Sequence, residues 1–533
     1  MRREIIYKDV SPTAAQEASA SMTGVQPFSD FAEVLGSGTS AKRWHTCEHN
    51  MVILNGTSEP FVTAGQHFGI WSQAQSDDDL NIVIPPLEIT FSGYVSSTAF
   101  TLTFDDPSNT FCTELNLRYY RGSILLFDSV FFPDRSMYSC EGTVESYNKI
   151  VVQFKKLNFS RRYLRIQNIL FGLVRTYSSQ EIKSLRVFEK IDITGLTLPI
   201  NSSEFAILPK DDDDLLYQKR QSIEVRFDGV LIAQHYIDKA QNNNFSNVDI
   251  VGVLDTMGDY RGGVYEGDTT AEQLIMDIVG GCAIIEIDAS LRGIPIHGWL
   301  PIKKRRDALA MVQFAIGAII DTSRSDKITV TPLCDTAPTE IPVSSTYHAP
   351  TSEFEFPHTG VELIEYWLRR STEDTKLFED ETDGQRITVN FRNPVWTANI
   401  QNGTLVELHP NYAIIEGVSG LVTTLTGREF ELMQTRIAKN NPFISSITEE
   451  KIYSVKDQYL VHQGNSQGIV DRLYDYYLKP NSVSAAVVLN GEKPGDNVTI
   501  NLAHRRQRTG ALEQVELIPG TKVIKAGVKL RSG

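Results

Sequence analysis

Cysteine is scarce in this chain of 533 residues, and the five that occur, Cys47, Cys112, Cys140, Cys282 and Cys334, are odd in number and widely scattered. That pattern excludes a disulfide framework or a zinc ribbon, both of which need paired spacings, and leaves buried thiols acting as small core residues as the expectation. Long apolar runs are missing as well. Nothing approaches the roughly 18 or more consecutive apolar residues of a membrane-spanning helix, and the opening MRREIIYKDV has no apolar stretch of the kind that directs secretion. The expectation is a soluble protein made in the cytoplasm. Catalytic motifs are lacking too: there is no HExxH, GxSxG, CxxC or Walker sequence, and GSGTSAK at 36–42 lacks the GxxxxGK[ST] spacing that wraps a phosphate. No catalytic, cofactor-binding or metal-ligating residue is assigned, no cofactor is expected, and the chain is not expected to be an enzyme.

What is present suits a large folded protein. A hydrophobic fraction of 41% against 22% charged residues is ordinary for globular domains, and the length allows three or four of them. Lys and Arg number 51 against 66 Asp and Glu, a net charge of −15, so the surface as a whole repels nucleic acid and anionic membrane.

Four segments are read along the chain: 1–56, 57–205, 206–340 and 341–533. The first mixes turn formers and short helical pieces and ends in WHTCEHNMVILNG, where His45, Cys47 and His49 alternate. On a strand they face one way, as zinc ligands would, but a fourth ligand is missing and alternation alone explains the spacing. From 57 to 205 short β-rich runs such as LNIVI, LEITFSG, FTLTFDD, ELNLRYY and KIVVQFKKL predict eight or so strands of a two-sheet sandwich or jelly roll. Asp77–Asp79 and Asp105-Asp106 could hold calcium in loops, with solvated loops the plainer reading. Sugar stacking would need exposed aromatics, for which Trp71, Tyr94, Tyr119, Tyr120, Phe131 and Phe132 are available. Asp211–Asp214 then repel one another and mark a boundary.

Beyond it, Ser222–Phe227 and Val230–Tyr236 around Asp228-Gly229 predict a hairpin. Asn247–Val251 reads as a further strand and Gly252–Asp255 as the start of a loop. A helix over Thr270–Val279, capped by Asp268 or Thr269, buries Leu274, Ile275, Ile278 and Val279. A second helix, Arg306–Ile319, buries Ala308, Met311, Val312, Ala315 and Ile319; the polar turn Asp321–Asp326 leads to the strand Ile328–Val330. Gly360–Trp367, Arg386–Phe391, Tyr412–Ile415 and Gly420–Thr424 read as strands, and Asn465–Tyr477 as a helix before the turn GEKPGD at 491–496. Arg305, Arg306, Arg324, Arg505, Arg506 and Arg508 could line a channel or pair with acidic neighbours; such clusters are more often solvated faces.

The ordered set of hairpin, GGVYEG, short helix, RRDAL, FAIGAIIDTSRSDKI, C-terminal helix and GEKPGD resembles the tail hub or tail-tip (baseplate hub) proteins of tailed phages and prophages, over roughly residues 206–533. The resemblance implies a structural virion protein, assembled in the bacterial host cytoplasm. It further implies a homotrimeric ring at the distal end of the tail tube, joining the tube to the tip or baseplate. Implied partners are further copies of the chain, the tail tube or distal tail protein, the tape-measure protein and a tail fibre or tip protein, with DNA only in transit. Under it, 1–56 is part of the hub or a docking arm, 206–340 an α+β hub domain and 341–533 a β-rich hub domain. A second resemblance, carried by Pro86–Phe91, Leu115–Tyr119 and Arg162–Ile166, is to discoidin-like and carbohydrate-binding jelly rolls, and implies that 57–205 binds a host-surface glycan. A tail-associated cell-wall hydrolase is the remaining alternative. The expected fold class is mainly β with α+β parts, multidomain: a β-sandwich plus β-barrel-like tail-hub domains with short packing helices.

Overall fold

The computed structural model describes residues 2–35, 69–104, 109–208, 219–332, 337–347, 349–442, 449–502, 506–519 and 524–533. His45, Cys47 and His49, the GSGTSAK stretch, Asp105-Asp106, Asp211–Asp214, Cys334 and Arg505 lie outside them. The fold is mainly β, multi-sheeted, with few short helices. It divides into two compact units, Ile6–Tyr177 and Met1–Ile5 with Ser178–Gly533.

The Ile6–Tyr177 unit is built on two unusually long strands. Leu87–Phe104 and Met137–Leu157 pair antiparallel from Leu87↔Val152 to Thr103↔Met137, with register slips between Thr90 and Ala99. LEITFSG and FTLTF are thus halves of one strand, not the two short ones expected. The polar Ser, Gly and Thr residues between them mark irregularities that bend the ribbon instead of turns that end it. One half is flanked by Ala18–Ser21 and by Cys112–Arg121, which in turn pairs with Ile124–Phe131; the other is flanked by Tyr163–Tyr177, which pairs with Ile70–Gln75. LNIVI forms no strand and contributes one isolated bridge, Asn81↔Lys156. Alternation along the strands sends Ile89, Leu117, Tyr119, Ile150, Val152, Phe100, Leu102, Ile166 and Phe171 into one shared core. Cys112 and Cys140 sit in it, as expected of buried thiols.

In the Ser178–Gly533 unit an antiparallel run passes through Ser202–Ile207, Ile182–Lys190, Gln507–Pro519, Ile524–Ser532, Asn481–Val488 and the edge strand Thr351–Phe354. The hairpin Ser222–Phe227 and Val230–Gln241 forms around Asp228-Gly229 as expected. The strand expected at Asn247–Val251 ends at Val248, because Asp249 accepts from the Gly252 backbone and caps a short helix, Ile250–Leu254. The first longer helix is Ala271–Val279, closed by a capping box between Thr270 and Gln273 and ended by Gly280 in the left-handed region; Leu274, Ile275, Ile278 and Val279 are all buried.

The second helix runs from Arg305 to Ile316, three residues short of the expected end. Gly317, at φ 70°, turns the chain, and Ala318–Asp321 becomes a strand paired with Lys327–Pro332. Buried Gln313 makes the early stop possible: its side-chain oxygen accepts from Ile320 N at 2.8 Å while its amide donates to Gly195 O at 2.9 Å. Ile319 is buried in a strand, not in the helix where the apolar spacing had put it. Lys327–Pro332 also pairs in parallel with Ile284–Ile287. A third helix, Ser466–Tyr477, lays Ile469, Val470 and Leu473 against Val361, Leu363 and Phe314. The strand expected at Gly420–Thr424 begins at Val422 and continues to Asn440. A satellite core of Val389, Val395, Ala398, Ala413, Ile415 and Leu425 completes the unit.

Candidate functional site

The polar turn Asp321–Asp326 lies within a short hairpin and carries Arg324 in left-handed backbone, φ 55°. From there the guanidinium forks onto Glu189, with Nε 3.1 Å from Oε1 and Nη2 3.1 Å from Oε2, and donates onward to Gly491 O at 2.8 Å and Glu492 O at 2.7 Å. Glu189 is buried, which pushes its carboxyl up against the opposing pull of Arg324. Beside it, Lys493 reaches Asp321 at 3.1 Å, and Lys493 N donates to Asp496 at 2.8 Å. The DTSRSD and GEKPGD turns, far apart in the chain, are therefore bolted to each other and to one strand of the large sheet.

The junction continues inward without a free acceptor. Thr322 Oγ1 donates to Asp249 at 2.6 Å, and Asn201 bridges the two, its backbone donating to Asp249 at 3.1 Å and its amide to Thr322 Oγ1 at 3.0 Å. Burial raises the Asp249 carboxyl to about 6. Nearby, burial holds the His235 imidazole down at about 3, with Nδ1 2.8 Å from Ser203 Oγ. These groups are sealed and mutually satisfied. They brace, and Glu189 also lines a groove of about 690 Å³ on the large sheet.

The other arginines singled out by the sequence are spread over the unit. Arg305 donates to Ile278 O at the end of the Ala271–Val279 helix, where a cation is favoured. Arg306 lies 3.4 Å from Asp255. Neither is a solvated, partnerless charge. The importance of Arg324 was not readable from local sequence, since its acceptors lie 135, 167 and 168 residues away.

In the smaller unit the aromatics considered for sugar stacking separate clearly. Trp71 and Tyr119 are buried, Tyr120 and Phe131 half-buried, and Tyr94 and Phe132 exposed. Asp77 is spent on its own loop, accepting from the Asp79 and Asn81 backbones at 3.0 and 2.8 Å, while Asp78 pairs with Arg161 at 3.1 Å. Among the described residues no group of three or more His, Cys, Asp or Glu side chains is arranged to hold a metal ion. Ile124–Phe131 pairs only with Cys112–Arg121 among the described strands and exposes Ile124, Leu126 and Val130, joined by Phe132.

No protein-family model matches the chain, and no curated protein matches it. Among solved structures it is similar to the tail protein from Neisseria meningitidis MC58, with 11% identity, a TM-score of 0.41, and coverage of 67% of this chain and 93% of that one. It is also similar to prophage tail protein gp18 from Listeria monocytogenes EGD-e, with 10% identity, a TM-score of 0.38, and coverage of 67% and 91%. A third likeness is to a chain of the phage P2 baseplate in its activated conformation with Ca, at 9% identity and a TM-score of 0.26 over 78% of this chain and 98% of that one.

Proposed function

We infer that this protein is a structural component of a phage or phage-derived tail, forming a homotrimeric hub at the distal end of the tail tube and joining the tube to the tip or baseplate. One observation carries the reading. The ordered blocks of the tail hub resemblance fold in sequence within one compact unit, and two of its distant signatures, DTSRSD and GEKPGD, are cross-braced through Arg324, Glu189, Lys493 and Asp321. Side chains shared between those blocks have a structural reason to occur together. Burying the strongest polar groups in braces suits a scaffold that must keep its shape under load. The net charge of −15 suits a wall past which DNA moves without adhering. Tube or distal tail protein, tape-measure protein and tail fibre or tip protein are the partners on this reading.

A reconstruction of the tail end of the parent particle by cryo-electron microscopy tests it. Three copies around the axis below the tube are expected; copies away from the axis overturn the hub. A second role, glycan binding by residues 57–205, has its own observation: Tyr94 and Phe132 stand out of the smaller unit, 69% and 64% exposed, where a sugar ring could stack. Saturable binding of the full chain on a glycan array, lost on Tyr94→Ala with Phe132→Ala, is the result expected of that reading.

A further inference from the structure

Two histidines of the larger unit meet edge to face where a strand docks on the approach to a helix. The strand Pro295–Leu300 turns His297 and Trp299 to one side. The loop leading into the Ser466–Tyr477 helix supplies a ring for each: the Trp299 and Tyr459 rings are centred 4.9 Å apart, and those of His297 and His462 5.0 Å apart at 77°. The seam is close throughout. A Cβ at Gly298 would collide with Tyr459 O, which accepts from Trp299 N at 3.2 Å, and a Cβ at Gly267 would collide with the His297 ring.

His462 also builds the start of the helix. Its backbone N donates to Asn465 Oδ1 at 2.8 Å, and its carbonyl accepts from Asn465 N at 3.1 Å and Ser466 N at 3.0 Å. Its Nδ1 accepts from Gly464 N at 2.9 Å. An accepting ring nitrogen carries no proton, so the turn is built on neutral imidazole. A proton added there sets one N–H against another, and it puts a cation beside a second imidazole and at the positive end of a helix.

The charged groups around the pair do not reverse this. Glu365, on the strand Gly360–Arg370, is the acid that favours a charged His462, but it is buried and accepts from Ser466 Oγ at 2.8 Å. Glu266 stands opposite His297 in the ladder and is engaged by Arg370 at 3.4 Å, while Asp457 accepts from the Tyr459 hydroxyl at 3.0 Å. Burial first, and then His297, hold the His462 imidazole below its ordinary 6.5 against the pull of Glu365.

We propose that His297 and His462 form a proton-operated latch: in acid His462 lets go of Gly464 N, and the turn from His462 to Asn465 opens outward, fraying the first turn of the Ser466–Tyr477 helix while the rest of the unit stays folded. Gln463 and Gly464 are exposed whereas Leu460 and Val461 are buried, so the turn swings on a fixed base. The closed turn has its full stability above 6.5, the ordinary value that His462 regains when released, and loses it as pH falls below. The opening equilibrium then grows by up to about tenfold per pH unit. The latch needs no partner and does not rest on the hub reading.

Hydrogen exchange of the full chain tests it, read on peptides covering 460–470 and corrected for the intrinsic pH dependence of amide exchange. Wild type is expected to lose protection there, by up to about tenfold per pH unit below 6.5, while the strand Asn481–Val488 keeps its own. His462→Asn puts an oxygen where Nδ1 stands and takes no proton, so it is expected to keep the turn and lose the acid response. His297→Phe keeps an aromatic edge and every hydrogen bond of the turn but removes the second imidazole; it is expected to shrink the response, and it decides the matter alone if His462→Asn does not fold. Protection that acid leaves unchanged in wild type, or a response of wild-type size in either variant, overturns the latch.

Discussion

In the Ile6–Tyr177 unit the centre is aromatic and aliphatic, with Phe91 edge-on to Tyr147 at 5.5 Å and to Phe171 at 5.0 Å. In the Ser178–Gly533 unit an apolar core exists as well, but the seams between its elements are closed by buried polar groups: Glu189 with Arg324, Asn201 with Asp249 and Thr322, and Gln313 at the helix end. The first arrangement tolerates many sequences at its apolar positions, where any well-shaped side chain serves, and its buried cation, Arg165, lies 4.1 Å from the Trp71 ring. The second demands particular residues, because each donor has one acceptor at one distance.

The contrast breaks most visibly under paired substitutions. Arg324→Ala leaves Glu189 buried and unpaired and is expected to cost about 3–5 kcal/mol; Phe171→Ala in the smaller unit is expected to cost a similar ~3–5 kcal/mol by opening a cavity. Denaturant unfolding of the full chain reads both. Only the first loss is expected to be recovered by a second change, Arg324→Met with Glu189→Met, since removing both charges removes the desolvation cost. If the double variant is as unstable as Arg324→Ala, the ion pair is not the brace.

Acid sharpens the comparison by a smaller amount. His235 is held down at about 3 when folded, so its contribution is complete above the ordinary value of 6.5 and lost as pH falls towards 3. Asp249 is raised to about 6, so its contribution is complete below the ordinary 3.8 and lost as pH rises through about 6. Each changes stability by about 1.4 kcal/mol per pH unit within its window, with opposite sign, so the two nearly cancel where the windows overlap. His235→Gln removes the histidine contribution while Asp249 stays common to both proteins, so its unfolding midpoint, relative to wild type, is expected to be higher at about pH 4.5 than at about pH 7. An unchanged difference between those conditions sinks the idea. In the smaller unit burial pushes Cys112 and Tyr147 up to about 12, so both stay neutral throughout this range and lend it no acid dependence.

The smallest effect is expected at the surface. Asp78→Ala breaks an exposed pair with Arg161 and is expected to leave the midpoint of the smaller unit unchanged, because solvent already screens both charges. A measurable loss there would mean that this unit relies on a surface charge.

What was legible in the sequence follows the range of the forces involved. Apolar spacing revealed the Ala271–Val279 helix, although its cap is Thr270 and not the expected Asp268 or Thr269, and the Asp228-Gly229 turn revealed its hairpin, because every signal lay within a few residues. The end of the Arg305–Ile316 helix was misread since Ile319 keeps the helical spacing, whereas Gly317 in the left-handed region ends the helix and Gln313 accepts from Ile320 N to hold the turn. The long ribbon of the smaller unit was read as separate short strands, as Ser92-Gly93 has the composition of a turn yet lies inside Leu87–Phe104. The brace at Arg324 was unreadable for a different reason: a polar turn looks the same whether its arginine meets water or a buried carboxylate distant in the chain.

That ribbon has a mechanical consequence. Leu87–Phe104 and Met137–Leu157 run side by side through both halves of the unit, so neither half can peel away without tearing rungs from a strand the other depends on. Force that separates the two halves has to break pairing that both of them share. The unit is expected to hold until it gives way in a single step, like a hinge pin in place of a zipper.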